Sequence, residues 1–265
     1  MNKYEFIKLN TARNALRYVI KAFNIKELYM PYYICPALRI SAAKECSLKF
    51  YHINKTFAPV SDFPTEAFIL YPDYFGICRN NIEKLTDKYP NLIVDNAHSF
   101  FSEPKGIASF NSLRKFFPKL RDGAFLYTTK TIDLNLKKDD FEYEIKELNY
   151  EEICKNENRL DKEDIKYISD CTYSNFMKLD LKIERIKFIE NFKKNQKKYD
   201  WLNNLKIQTA NNSVPYKYPY LLNSEFEADK LVKEYEKQGK IIFRYWNNMP
   251  ESYEEKVFYT KLTAL

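Results

Sequence analysis

A chain of 265 residues, 45% hydrophobic and 30% charged, holds enough apolar material for a large domain with a smaller one beside it, which excludes wholesale disorder. Its formal charge of +7 is concentrated in runs such as Lys193-Lys194 and Lys197-Lys198 on a solvated helix face, and no nucleic-acid-binding motif accompanies it. Five cysteines without a CxxC pair speak against a disulfide framework, and two histidines speak against a zinc site.

In chain order, Asn10 or Thr11 caps a predicted helix whose apolar residues Ala12, Ala15, Leu16, Val19, Ile20 and Phe23 share one stripe. Residues 27–30 predict a short strand ending at Pro31, and Pro36 opens a helix through Ala43. Further strands are predicted at 48–53, 67–71, 92–94 and 124–128, with a helix at 81–88 among the segments between them. Apolar strands separated by helices predict an α/β fold with a mostly parallel central sheet flanked by helices. Ligands in such sheets sit beyond the carboxyl ends of the strands. The segments 32–35, 74–76 and 95–98 each follow a predicted strand.

Beyond residue 130 the chain becomes charged, and 133–166 predicts surface helix and loop. One long amphipathic helix is predicted over 178–204, then a strand at 217–222, a helix at 225–238 stopped by Gly239, and a strand at 240–245. These elements predict a small C-terminal α+β domain, with the division at 1–150 and 151–265.

Several residues carry candidate chemistry. Asp95 ends an apolar strand, where a carboxylate is costly unless a cation or the next turn satisfies it. His98 lies three residues on and serves either structure or a ligand. Ser112 and Lys115 form an SxxK arrangement, and Thr11, Ala12 and Arg13 open a helix whose N–H groups suit an anion. Pyridoxal phosphate (PLP) chemistry needs such a set: a Schiff-base lysine, an acid for the pyridine nitrogen, and a phosphate cradle.

Taken in order, these segments resemble the DegT/DnrJ/EryC1/StrS family of fold-type I PLP-dependent enzymes, chiefly sugar aminotransferases, closely through residue 130 and loosely thereafter. The resemblance rests on Asn10-Thr-Ala-Arg-Asn-Ala-Leu16, Pro31-Tyr-Tyr-Ile-Cys-Pro36, Tyr74-Phe-Gly76, Asp95-Asn-Ala-His98, Ser112-Leu-Arg-Lys115 and Asp122-Gly-Ala124. Asp95-Asn-Ala-His98 matches the family's D-x-A-[HQ] motif without adjustment. By that resemblance Asp95 would hold the pyridine nitrogen and His98 the ring oxygen. Thr11, Ala12, Arg13 and Ser112 would surround the phosphate. Cys35 stands where a ring-stacking aromatic is expected, with Tyr33 as its substitute. Lys115 would form the Schiff base and shuttle the proton, with Lys119 as its rival.

The resemblance implies an aminotransferase that moves an amino group from glutamate to a keto-sugar nucleotide in surface glycan assembly. It also implies a homodimer with the site at the interface. The alternative is a degenerate member that keeps the fold without transaminating and acts as a binding or scaffold partner. The opening MNKYEFIKLN has no signal-peptide core and no apolar run reaches membrane-span length, so a cytoplasmic location is expected, with no membrane or nucleic-acid partner.

Overall fold

The computed structural model describes all residues except 1–3, 147, 211–212, 241 and 247–252. The first half lays down β1 (Glu5–Leu9), α1 (Ala12–Ala22), β2 (Glu27–Pro31), α2 (Pro36–Ala43), β3 (Ser47–Tyr51), β4 (Phe68–Pro72), α3 (Arg79–Lys88), β5 (Leu92–Asp95), β6 (Ala108–Phe110), α4 (Leu113–Phe116) and β7 (Ala124–Thr128). The strands form one sheet in the order β1-β7-β6-β5-β4-β2-β3. β2 to β6 pair in parallel, while β7 runs antiparallel to both β6 and β1.

Alternation along the central strands builds two cores. Leu70 and Ile93 pack beneath α1 and α2 with Leu16, Val19 and Leu38. Ile69, Tyr71, Leu92 and Val94 face the other way, onto Ile82 and Leu85 of α3. Both faces are therefore covered, as a parallel sheet requires. Thr11 caps α1 by accepting the Asn14 N–H, so the helix starts where the sequence pattern placed it.

The second half supplies α5 (Tyr150–Leu160), α6 (Asp170–Phe176), α7 (Leu181–Tyr199), β8 (Pro219–Leu221), α8 (Glu225–Glu236), α9 (Lys256–Lys261) and β9 (Leu262–Ala264). Leu205, Leu221, Phe258, Leu262 and Ala264 join the core on the α3 side of the large sheet.

Two expectations need correction here. The long helix expected over 178–204 is Leu181–Tyr199, followed by a single 3-10 turn at Asp200–Leu202. The strand expected at 240–245 is absent among the described residues, where Phe243 makes only an isolated bridge to Ala264; residue 241 lies outside them. β8 pairs with β9, antiparallel, with Tyr220 opposite Thr263. Three residues, Leu-Thr-Ala, with Thr263 the single β-branched one, are too short a run to give a strand signal in the sequence. Among the described residues no helix is long and apolar enough to cross a membrane.

One turn sets the geometry at the carboxyl edge of the sheet. After β4, Phe75 adopts φ 55° and Gly76 φ 74°, both left-handed. A Cβ on Gly76 would stand 2.5 Å from the His98 carbonyl oxygen and 3.0 Å from Pro215 Cα, both backbone atoms. Only glycine fits between them without displacement. Gly76→Ala is expected to cost roughly 2–4 kcal/mol, lowering Tm by about 5–10 °C. Gly239→Ala, at φ 70° with open space around it, is expected to cost only about 1 kcal/mol. Thermal denaturation of the two variants checks the difference.

Candidate functional site

A cavity opens at the carboxyl edge of the parallel strands, and each wall comes from a different element. The start of α1 contributes Asn10, Thr11, Ala12 and Arg13, and the start of α2 contributes Cys35 and Leu38. The end of β5 contributes Asp95 and Ala97, while Ser112, Arg114 and Lys115 come from α4 and its cap. Asp122 and Gly123 close the floor, and Leu160 of α5 reaches in from the second half.

Of the residues expected from the sequence, the fold thus gathers Thr11, Ala12, Arg13, Cys35, Asp95, Ser112 and Lys115 around one cavity. His98 stands directly behind Lys115. Tyr33 is elsewhere: its ring is fully buried, stacked on Tyr74 and edge-on to Trp246. Lys119 is exposed and faces a separate surface hollow with Pro118 and Lys178. Position alone therefore separates the two lysines.

A short hydrogen-bond chain decides the charge of Lys115. The Phe75 N–H donates to His98 Nδ1 at 3.3 Å, so in a neutral ring the proton sits on Nε2. That Nε2 lies 2.8 Å from Lys115 Nζ. An imidazole N–H can point there only if the amine has a lone pair to accept it, so this arrangement calls for an uncharged lysine. Burial acts in the same direction. It pushes Lys115 below the ordinary lysine range, against the attraction of Cys35 and Asp95, and it pushes His98 well below the ordinary histidine value, with Lys115 and Lys217 adding to the effect.

His98 is also held flat. Tyr216 stacks on it with centroids 4.9 Å apart, Trp246 lies nearly parallel to it at 5.9 Å, and Phe75 approaches at 5.6 Å. These rings enclose the imidazole and keep water from its faces.

Asp95 has the opposite character. One oxygen, Oδ1, accepts the Ala97 N–H at 2.8 Å. Burial raises its pKa, with Lys115 and the Ala97 N–H opposing. Among the described residues it makes no ion pair, so it is a desolvated acid whose second oxygen remains for a ligand. Ser112 caps α4 without a side-chain cap bond, which leaves its hydroxyl available as well. Deeper in the floor, Asp122 accepts from Thr172 Oγ1 and lies 3.5 Å from Arg159 Nη2. Burial raises Asp122 to about 6.

The sequence pattern missed four participants. Arg114 sits between two residues that were singled out, and its charge beside Lys115 was a usable signal. Glu157, Tyr216 and Trp246 come from remote segments with no local motif. Among the described residues no cluster suited to a metal ion occurs.

No protein-family model matches the sequence, and no curated protein matches it either. Solved structures do match. A DegT DnrJ EryC1 StrS aminotransferase from Brucella abortus aligns with TM-score 0.61 at 12% identity, over 98% of this chain and 80% of that one. The PLP-form of Spr1654 from Streptococcus pneumoniae gives 0.65 at 14%, over 98% and 81%. The sugar aminotransferase CalS13 from Micromonospora echinospora gives 0.60 at 11%, also over 98% and 81%. The fold is that of these aminotransferases. At such identities the likeness fixes the architecture and leaves the chemistry to the side chains.

The enclosed Lys115 amine makes a prediction about stability. Its folded-state pKa is depressed, so folding opposes protonation and the native state is penalised wherever the unfolded lysine is charged. Lys115→Met should raise Tm at pH 7 by roughly 2–4 °C. The gain should shrink as pH climbs into the ordinary lysine range, which paired melting curves at pH 7 and pH 10 will show.

Proposed function

We propose that this chain is a PLP-dependent aminotransferase that moves an amino group from glutamate onto a keto-sugar nucleotide in surface glycan assembly. In this reading it works as a cytoplasmic homodimer with the site at the interface, the large domain spanning 1–150 and the small one 151–265. The observation that carries the reading is the meeting, at one cavity, of a lysine amine 2.8 Å from an imidazole nitrogen and a buried acid with no ion-pair partner among the described residues. The shared architecture with Spr1654 in its PLP-form adds support.

The residues present fit that cofactor. Asp95 matches a protonated ring nitrogen, Lys115 an aldehyde, and Ser112 with the α1 N-terminus a phosphate. When bound, PLP supplies an aldehyde carbon that takes up an amine and a ring that withdraws electrons from the carbon carrying it.

The chain's own residues do the rest. Asp95 holds a proton on the ring nitrogen by pairing with it while ionised, which its desolvated setting strengthens. Burial holds Lys115 Nζ below the ordinary lysine range, which favours the uncharged amine that can attack a carbonyl and accept a proton from the substrate carbon. His98 Nε2–H aims the Nζ lone pair, and the Phe75 N–H fixes which imidazole nitrogen can do so. Tyr216, Trp246 and Phe75 keep water from the imidazole, so its tautomer stays fixed. Glutamate as donor and a sugar nucleotide as acceptor follow from the resemblance in sequence.

The test is a pair of half-reactions. Protein loaded with PLP should lose its visible band on adding glutamate and regain it with a keto-sugar nucleotide. Asp95→Asn should slow the first step by about a hundredfold or more, the scale of a broken buried charge pair. A visible band that glutamate leaves untouched would instead support the non-transaminating binding protein.

A further inference from the structure

Two guanidinium groups line the cavity, and one carboxylate bridges them. Arg114 presents both terminal nitrogens to Glu157 of α5, Nη1 against Oε1 and Nη2 to Oε2 at 3.0 Å. The same Oε2 accepts from Arg13 Nη2 at 3.1 Å, and Arg13 also pairs with Asp161, the C-cap of α5. Arg13 and Arg114 belong to the two segments, the start of α1 and the SxxK turn, that a phosphate would contact.

Charge and exposure are unevenly distributed in this cluster. The Arg13 side chain is 8% exposed and Arg114 24%, whereas Glu157 is 34% and Asp161 51%. The arginines are fixed by packing, and the acids reach them from the solvent side. Two guanidinium groups and two carboxylates sum to zero. A phosphate dianion entering that neutral set would bring it to −2, with acids and phosphate competing for the same N–H donors. If Glu157 withdraws, the two arginines face the dianion with only Asp161 left against them, and the donors that held Glu157 bidentately can hold a phosphate in the same way. Withdrawal costs Glu157 little, because a third of its side chain already contacts water.

We propose that Glu157 is an internal counter-anion occupying the phosphate's place between Arg13 and Arg114, and that binding of a phosphate monoester displaces it. The inference rests on the PLP reading of the cavity. It adds Arg114 to the phosphate-binding residues and makes α5 a competitor for them, selecting for ligands whose dianion can replace a carboxylate.

Equilibrium titration with PLP and with its phosphate-free analogue pyridoxal tests this, following the visible band of ligand held at Lys115. Glu157→Gln should bind PLP about five- to tenfold more tightly than the parent chain while pyridoxal affinity stays the same. Glu157→Asp, which retracts the carboxylate by one methylene and keeps its charge for folding, should shift PLP affinity in the same direction by a smaller factor. Arg114→Met should weaken PLP alone. Unchanged or weaker PLP binding in both Glu157 variants overturns the inference, as does an equal change for the two ligands. If the parent chain holds neither ligand, the PLP reading itself fails; if it holds both and the variants do not discriminate, only the role of Glu157 fails.

Discussion

A single backbone N–H determines the state of the site. Phe75 is held in a left-handed conformation that costs a non-glycine residue about 1–2 kcal/mol. In return its N–H meets His98 Nδ1 and its carbonyl accepts the Tyr216 N–H at 2.8 Å. The first bond favours one imidazole tautomer, and that tautomer favours the uncharged form of Lys115. The second ties the turn to the C-terminal half, whose Tyr216 ring then covers the imidazole. The strained turn, the tautomer, the reactive amine and the aromatic cover form one connected arrangement.

Burial is what makes that arrangement reactive. A lysine and a carboxylate in water are fully charged at neutral pH and have little tendency to do chemistry. Placed together beyond the carboxyl ends of β4, β5 and β6, each resists its charged form, and neither has an ion-pair partner among the described residues to restore it. The guanidinium pair nearby follows the opposite course, its charge answered by Glu157 of α5 and by Asp161 just past the end of that helix. The cavity thus has a desolvated reactive end at Asp95 and Lys115 and an ion-paired end at Arg13 and Arg114.

Much of this was legible in the sequence. The stripe from Ala12 to Phe23, the capping Thr11 and the strand-ending Asp95-Asn-Ala-His98 each have a local physical signature; the structure packs the stripe into the core and places Thr11, Ala12, Asp95 and Ala97 at the cavity. Tyr74-Phe-Gly76 was marked for its glycine, although the part it plays through the Phe75 N–H has no counterpart in side-chain pattern. β1 and β6 escaped notice for different reasons. Glu5–Leu9 is an edge strand whose apolar Phe6 is exposed, so its residues give no clean alternation, and Ala108–Phe110 is three residues long with no β-branched member. Glu157, Tyr216 and Trp246 reach the site by tertiary packing across long stretches of chain, which periodicity cannot register. Lys115 and Lys119 look alike on paper and differ only in which side of α4 and its following turn they occupy.

That last distinction offers the most direct measurement. Spectrophotometric titration with PLP should be run on the parent chain, Lys115→Ala and Lys119→Ala. The expected result is a visible band in the parent and in Lys119→Ala, and none in Lys115→Ala. A band that survives loss of Lys115 and disappears with Lys119 would contradict the site described, and no band in the parent would contradict the cofactor.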